Sequence, residues 1–332
     1  MHPFQMSLEN GIITDISLDD VELNNKEKQF LALPPLVNAH THIGDAFITG
    51  ELNGGILELV APPNGLKHRR LREADEREIK DGMEGALEEM YMSGVRSFID
   101  FREQGVHGIR MLKDALDSFN SIHAHSDRKP ISATILGRPD SGDDIDELLT
   151  LSDGLGISSI SDHDIDYLRE LRGEVERHRK KFALHVSERI REDIDTVIEL
   201  RPDFIVHMNE ATDEDMQRVA EAGIPVVVCP SSNMFFGKIP PIRRMLEAKI
   251  KVALGTDNLM LNSPSILREM SILNIAMRFA GTPLDYREII EIGVDNPRDI
   301  AGMRPWKPDV GQIWDGILLR DYGRGTGQLL RG

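Results

Sequence analysis

The sequence predicts an α/β fold, a (β/α)8 TIM-type barrel, from three observations. Eight short apolar runs rich in β-formers alternate with longer amphipathic stretches along most of the 332 residues. Continuous apolar strands separated by helices indicate a parallel sheet covered on both faces, and eight such units suit a closed barrel. Single His or Asp residues also stand at the C-terminal ends of several runs, where such barrels carry their chemistry. A doubly wound open sheet is the alternative, but no Gly-x-Gly-x-x-Gly turn follows the first run.

Residues 11–16 and 29–33 are short, weakly alternating segments, and 311–319 has the same character. Each is too small to bury a core alone, so the two chain ends are expected to pair into one small β subdomain, 1–35 with 304–332. The barrel is then 36–303, with strands at 36–39, 95–101, 131–136, 154–160, 182–186, 203–207, 225–229 and 251–255. Residues 73–92 carry Ile79, Met83, Ala86, Leu87 and Met90 at helical spacing, with Gly94 as the stop. Thr212 is an N-cap followed by three acids in the first turn. Helices are expected at 264–279 and 286–303. The connection 43–71 is long, rich in Gly and Pro, and leaves directly from a His pair, which marks it as a lid. Its Lys67-His68-Arg69-Arg70 cluster reads as a solvated helix start. Gly323-Arg324-Gly325-Thr326-Gly327 reads as a flexible end.

Composition narrows the function. Net charge is −17, which opposes the broad basic footprint that nucleic-acid binding needs. No apolar run approaches the roughly 18 to 20 residues that span a bilayer, and residues 1–5 lack the basic and apolar regions of a secretory signal. The single Cys229 excludes an intramolecular disulfide and a four-Cys zinc site, and fits a reducing cytoplasm. Its apolar β context indicates inert packing rather than nucleophilic chemistry. A homo-oligomer is compatible with all of this.

The chemistry concentrates at strand ends. In an extended chain His40 and His42 project to one side, giving half of a divalent-metal site. Alone the pair is weak in a chain with 11 His. It gains weight because His185, His207 and Asp257 end or follow later strands on the same barrel face. A second pair, His123-Ala124-His125, precedes strand three and so falls on the opposite face as a surface pair.

The set Val37-Asn38-Ala39-His40-Thr41-His42, His185-Val186-Ser187-Glu188, His207, Cys229-Pro230-Ser231-Ser232-Asn233 and Gly255-Thr256-Asp257 resembles the amidohydrolase superfamily. Within it, the branch of cytosine and guanine deaminases, nucleoside-analogue deaminases and triazine hydrolases is the nearest in look, over about 34–316. The resemblance implies a distorted (β/α)8 barrel with a small β-sandwich from both termini. It implies that His40, His42, His185 and Asp257 hold one divalent metal ion, Zn2+ first, with Fe2+ or Mn2+ as other choices. The metal lowers the pKa of a bound water toward about 7. Glu188 matches the family's proton shuttle, His207 the residue that polarises the substrate or orients the water, and Asp257 a further base. Binuclear members use a carbamylated Lys after strand four, or another bridging acid, to hold two metals; here Ser161-Asp162-His163-Asp164 follows it, with no Lys, which favours the mononuclear branch. Asp162 and His163 read as a helix cap and an exposed His.

The expected function is hydrolytic deamination of an amino-substituted small-molecule heterocycle, a nucleobase, nucleoside or analogue, by hydroxide formed on the metal. The alternatives are a hydrolase using the same site to displace halide, alkylamine or a ring amide, and a non-catalytic metal-binding barrel. A nucleic-acid deaminase is opposed by the acidic charge and by the lack of the His-x-Glu and paired-Cys signature. Arg102, Glu103, Arg138, Ser232 and Asn233, with Ser231, are expected to rim the mouth and touch substrate, Arg138 through a carboxylate or phosphate.

Overall fold

A computed structural model describes residues 5–17, 30–124 and 129–320. Eight parallel strands run in chain order around one curled sheet: β1 (Leu36–His42), β2 (Val95–Arg102), β3 (Ser132–Gly137), β4 (Gly154–Ile157), β5 (Lys181–Val186), β6 (Phe204–His207), β7 (Val226–Val228) and β8 (Val252–Leu254). A ninth, two-residue strand, Asp257–Asn258, pairs with Thr41 and His42 of β1. It follows β8 after two residues, so the chain leaving the last barrel strand returns to the first. This is the distorted (β/α)8 barrel expected.

The strands are apolar because both faces are covered. Inside the barrel, Ala39, Ile99, Phe101, Leu136, Ala183, Phe204, Val206, Val227, Cys229 and Ala253 form one buried cluster. The other face packs on the surrounding helices in a larger core that includes Leu36, Phe98, Ile135, Leu184, Ile205, Val228 and Leu254. Neighbours such as Phe98 and Ile99 thus serve opposite faces, the two-residue period of a strand. Helices start where short polar side chains accept first-turn amides: Asp75 from Arg77 N, Asp164 from Asp166 and Tyr167 N, and Thr212 from Asp215 N in a reciprocal capping box.

Three departures from expectation have local causes. β1 extends to His42, so the His pair lies within the strand. Its register against β2 slips between Asn38 and Thr41, which face Phe98 and Asp100, so β1 carries one extra residue in a bulge. Adjacent Ala39 and His40 therefore both reach the interior: Ala39 joins the inner core, and the His40 ring centroid lies 4.5 Å from that of Phe101. The helix expected at 286–303 is broken into Tyr286–Ile290, a π-helical turn Glu291–Asp295, and Asn296–Ile300. Pro297 cannot donate to the helix ladder, and buried Asn296 uses Nδ2 to bond the Val252 carbonyl at 2.8 Å.

Both chain ends contribute antiparallel pairs. Gln5–Glu9 and Ile12–Ser17 form a hairpin around Asn10-Gly11, both at positive φ as a two-residue hairpin turn requires. Phe30–Leu33 pairs with Ile317–Arg320, and Ile12 bridges to Ile313. Parts of the expected terminal subdomain (1–4, 18–29, 321–332), the Gly323–Gly327 segment within it, and His125 lie outside the described residues. Among those described, no helix is long and apolar enough to cross a membrane.

The return from β8 to β1 depends on Gly255. A Cβ there would lie 2.7 Å from His40 Cβ and 2.8 Å from His40 N. Gly255→Ala is expected to lower stability by about 1–3 kcal/mol through overpacking, read as a lower Tm. An unchanged Tm would show that β1 can yield at this point.

Candidate metal centre

The barrel mouth gathers five buried polar groups from four places in the chain: His40 and His42 from β1, His185 from β5, His207 from the end of β6, and Asp257 from the strand after β8. Ser187, His207, Met208 and Asp257 all have positive φ. Non-glycine residues in that region are uncommon, at a cost of order 1–3 kcal/mol each, and cluster where a backbone is bent to aim a side chain.

The Nε2 atoms of His40 and His42 lie 3.2 and 3.3 Å from His185 Nε2. Asp257 Oδ1 lies 3.4 Å from His40 Nε2 and 3.3 Å from His42 Nε2. On His42 and His185, Nδ1 faces a carbonyl that can only accept, Phe101 O at 3.1 Å and Ile157 O at 3.0 Å. The ring proton therefore belongs on Nδ1, and the two Nε2 lone pairs face each other. Such an arrangement repels unless a cation lies between. For ligand bonds of about 2.0–2.1 Å, the edge of a zinc tetrahedron is about 3.3 Å, close to these separations. The donor set fits a divalent ion.

Ionisation supports the same reading. Burial, then neighbouring imidazoles, lower His40 to about 3 despite Asp257. Burial also lowers His42 and, more strongly, His185. All three favour the neutral, ligating form. Burial alone would raise Asp257, but the His40 hydrogen bond and the surrounding imidazoles outweigh it and hold it well below the usual carboxylate range. His40, His185, His207 and Asp257 also have ligand atoms within 4.8 Å of one another. The site is thus a buried His/His/His/Asp metal centre, with either His42 or His207 as its third imidazole. His207 stands farther off: its Nε2 lies 4.0 Å from Asp257 Oδ2 and 3.6 Å from Glu188 Oε1. Burial raises Glu188, and the offset from His207 is only partial.

A pocket of about 540 Å³ opens from this centre, lined by His42, His185, Glu188, His207 and Asp257 and by Lys67, Arg138, Ser158 and Arg189. Ile56, Val60, Ala61 and Pro62 from the 43–71 connection cover one side. Arg138 lines it as expected. Its Nη1 is 3.8 Å from Glu103 Oε1, and its buried Nε has no hydrogen-bond partner among the described residues. Asp162 and His163 line the mouth region; Asp162 pairs with Arg189 at 2.8 Å, and His163 Nε2 lies 2.9 Å from Ser158 Oγ.

Of the other expected rim residues, Glu103 lines the mouth region, and Arg102, Ser232 and Asn233 lie behind the site. Arg102 is fully buried and donates to Gly108 O and Gln104 Oε1; its guanidinium fills the space beside Gly44, where a Cβ would sit 1.6 Å from Nη1. Glu103 Oε1 is 2.7 Å from both His42 Nδ1 and Lys67 Nζ. Burial alone would raise Glu103, but Lys67 and His42 outweigh it and hold it well below the usual range. The Ser231-Ser232-Asn233 turn backs the site residue by residue. Ser231 N and Oγ donate to Glu269, Ser232 Oγ donates to Asp257 Oδ2 at 2.5 Å, and the Asn233 amide lies 3.2 Å from His207 Nδ1. These side chains point inward because residues 230–235 form a helix that packs against the helix Ile266–Phe279 and buries Ser232 and Asn233.

Sequence reasoning missed Lys67 and Glu269. Of the basic cluster on helix Leu66–Glu73, Lys67 is buried, whereas Arg69 and Arg70 are exposed. The signal available was its position four residues before Leu71, on the apolar face. Glu269 carried no signal, since an acid in the first turn of a helix is ordinary. Cys229 is fully buried, its thiol raised by burial, as inert packing requires. His123 is half-buried against Phe119 and Tyr91 and pairs with Glu88, so it is more enclosed than a surface pair.

Residues 31–303 match the model of the amidohydrolase family. An uncharacterised protein of Methanocaldococcus jannaschii is 36% identical over 292 residues, covering 80% of this chain and 73% of its own. A 5-methylthioadenosine/S-adenosylhomocysteine deaminase of Pyrococcus furiosus is 28% identical over 159 residues, 46% of this chain and 37% of its own. Among solved structures, an adenosine deaminase from Xanthomonas campestris with bound zinc superposes with a TM-score of 0.70 at 16% identity, covering 98% of this chain and 84% of its own.

Burial raises Glu269 to about 7, against the opposing pull of its Ser231 hydrogen bonds. Between the unfolded value of 4.5 and about 7 the native state holds a proton that the unfolded state has lost. Stability therefore falls as pH rises through that window, by up to about 3 kcal/mol. Glu269→Gln keeps one acceptor and supplies a donor. It is expected to melt at a higher temperature than the parent at pH 8, with the gap closing toward pH 5. A constant gap across that range would refute the assignment.

Proposed function

This chain belongs to the amidohydrolase family, and from that premise we propose that it is a mononuclear enzyme that deaminates an amino-substituted heterocycle. Metal-dependent hydrolysis of C–N bonds is the family's ground. The finer reading rests on one observation: Glu188 Oε1 faces His207 Nε2 at 3.6 Å beside the converged His/Asp ligand atoms, with its carboxyl raised by burial. A carboxyl so placed and raised by burial suits both taking and returning a proton. The deaminase names of the Pyrococcus relative and the Xanthomonas structure support it.

In this reading His40, His42, His185 and Asp257 would hold one divalent ion, zinc first. When bound, it supplies a Lewis acid that brings the pKa of water toward about 7. Glu188 accepts a proton from the attacking water and delivers it to the departing amino group. A C–O bond forms, the exocyclic C–N bond breaks, and ammonia leaves. His207, its Nε2 without a hydrogen-bond partner among the described residues, donates to the oxygen of the attacking water and orients it toward the carbon. Ser232 holds Asp257 Oδ2 so that Oδ1 faces the imidazoles. Arg138 is the substrate contact, its free Nε suited to a carboxylate or phosphate.

The test is ammonia release by zinc-loaded protein across amino-purines, amino-pyrimidines, their nucleosides, pterins and triazines. Glu188→Gln should cut turnover by about 10²–10⁴-fold with zinc content unchanged, and normal turnover in that variant would sink the shuttle role. Hydroxylated product without ammonia would instead identify another leaving group. Arg138→Met should raise KM about tenfold or more, with kcat nearly constant, for a substrate bearing an anionic group. An equal loss in kcat would place Arg138 in the chemistry instead.

A further inference from the structure

We propose that Lys67 is a positioning residue that couples the covering segment 43–73 to the metal ligands. Lys67 is the second residue of helix Leu66–Glu73, yet its ammonium is 2% exposed and lines the pocket. The neighbouring cations turn away: Arg69 donates to Asn64 O, Arg72 donates to Pro63 O at 2.9 Å, and Arg70 pairs with exposed Glu78. Lys67 Nζ donates to Glu103 Oε1 at 2.7 Å and to Asn258 Oδ1 at 2.9 Å.

Each partner adjoins a proposed ligand. Glu103 Oε1 also lies 2.7 Å from His42 Nδ1, and Asn258 follows Asp257 in the short strand that pairs with Thr41 and His42. One ammonium thus joins the covering helix to the end of β2 and to the last strand, through the groups that set His42 and Asp257. A charge buried this deeply is held only by complete pairing. Swinging the segment away would strand Glu103 beside His42, leaving cations only at 3.5 Å (Arg102) and 3.8 Å (Arg138). Closure of the segment and readiness of the ligands are therefore one event. Coupling of this kind is reciprocal: if the closed segment strengthens metal binding, metal must tighten the closed segment.

The inference rests on His42 and Asp257 as ligands, and the experiment separates the two. In unaltered protein, hydrogen exchange is measured without metal and with Zn2+. The amides of 56–73 should become at least several-fold slower with Zn2+, while helix Ile165–His178, away from this contact, stays the same. Zinc affinity is then measured by chelator competition. Lys67→Met should weaken it about 10–100-fold, the usual loss when a partner of a ligand is removed, and exposed Arg70→Met should leave it unchanged. Equal exchange of 56–73 in the two states, or an affinity of Lys67→Met within threefold of the parent, overturns the proposal. If His42→Ala weakens zinc binding and Lys67→Met does not, the ligand set stands and the coupling alone fails. Should Lys67→Met not fold, the exchange measurement on the unaltered chain decides.

Discussion

The imidazole nitrogens of His40, His42 and His185, with His185 Nε2 held 3.2 and 3.3 Å from the other two, are the constraint on which the rest of this structure depends. Such contacts cost energy in an empty site and reward a cation. The chain therefore has to impose them, and His42, His185 and Asp257 are pinned from behind. Carbonyls of β2 and β4 fix the rings of His42 and His185, and Ser232 fixes Asp257. Asn38 does the same for the backbone: its amide donates to Thr256 Oγ1 at 2.7 Å and accepts from Thr256 N at 3.2 Å, so β1 grips the turn that delivers Asp257. These partners are side chains and carbonyls on neighbouring strands, which hold position more tightly than loops do.

The same constraint explains the backbone irregularities. A regular strand alternates its side chains, and cannot send Ala39 and His40 inward together. The bulge in β1 does so at the cost of one unpaired residue. Ser187, His207 and Asp257 take left-handed conformations at the strand ends for a related reason: a strand that simply continued would carry its side chain along the barrel axis, away from the centre. At the barrel mouth this strain falls on residues that aim at one point, while the inner core beneath them, Phe101, Phe204 and Val206 among it, is apolar.

Most of the barrel was legible because burial on both faces writes itself as apolar runs. The strand-end residues were legible because a barrel places its chemistry at one end. What stood in the sequence without a readable signal was direction. Arg102 and Glu103 follow one another at the end of β2, and nothing in their identity says that one fills the space beside Gly44 while the other meets His42. Ser232 and Asn233 sit after β7 where a substrate contact belongs, yet a short helix turns them onto Asp257 and His207. Lys67 is the sharpest case. Four basic or ring residues in a row read as solvent-facing, and only a helical face shared with Leu71 takes one of them inside. Orientation on this scale follows from packing against distant segments, which local pattern does not encode.

The pocket above the centre has a polarity that the whole protein lacks. The chain carries a net charge of −17, yet the cavity that Glu188 and Asp257 line is also lined by Lys67, Arg138 and Arg189 with Ser158. Lys67 is committed to Glu103 and Asn258, and Arg189 to Asp162. Of the three, Arg138 is the one that keeps a buried nitrogen, Nε, without a hydrogen-bond partner among the described residues. A buried guanidinium with an unused donor is costly unless a ligand supplies the acceptor. Under the proposed function the pocket would then ask for two things: a carbon to be attacked beside Glu188 and His207, and an acceptor-rich or anionic group at Arg138. A molecule with both, held at Arg138, would present its reacting carbon to Glu188, and the positioning would come from binding that does not take part in the bond changes.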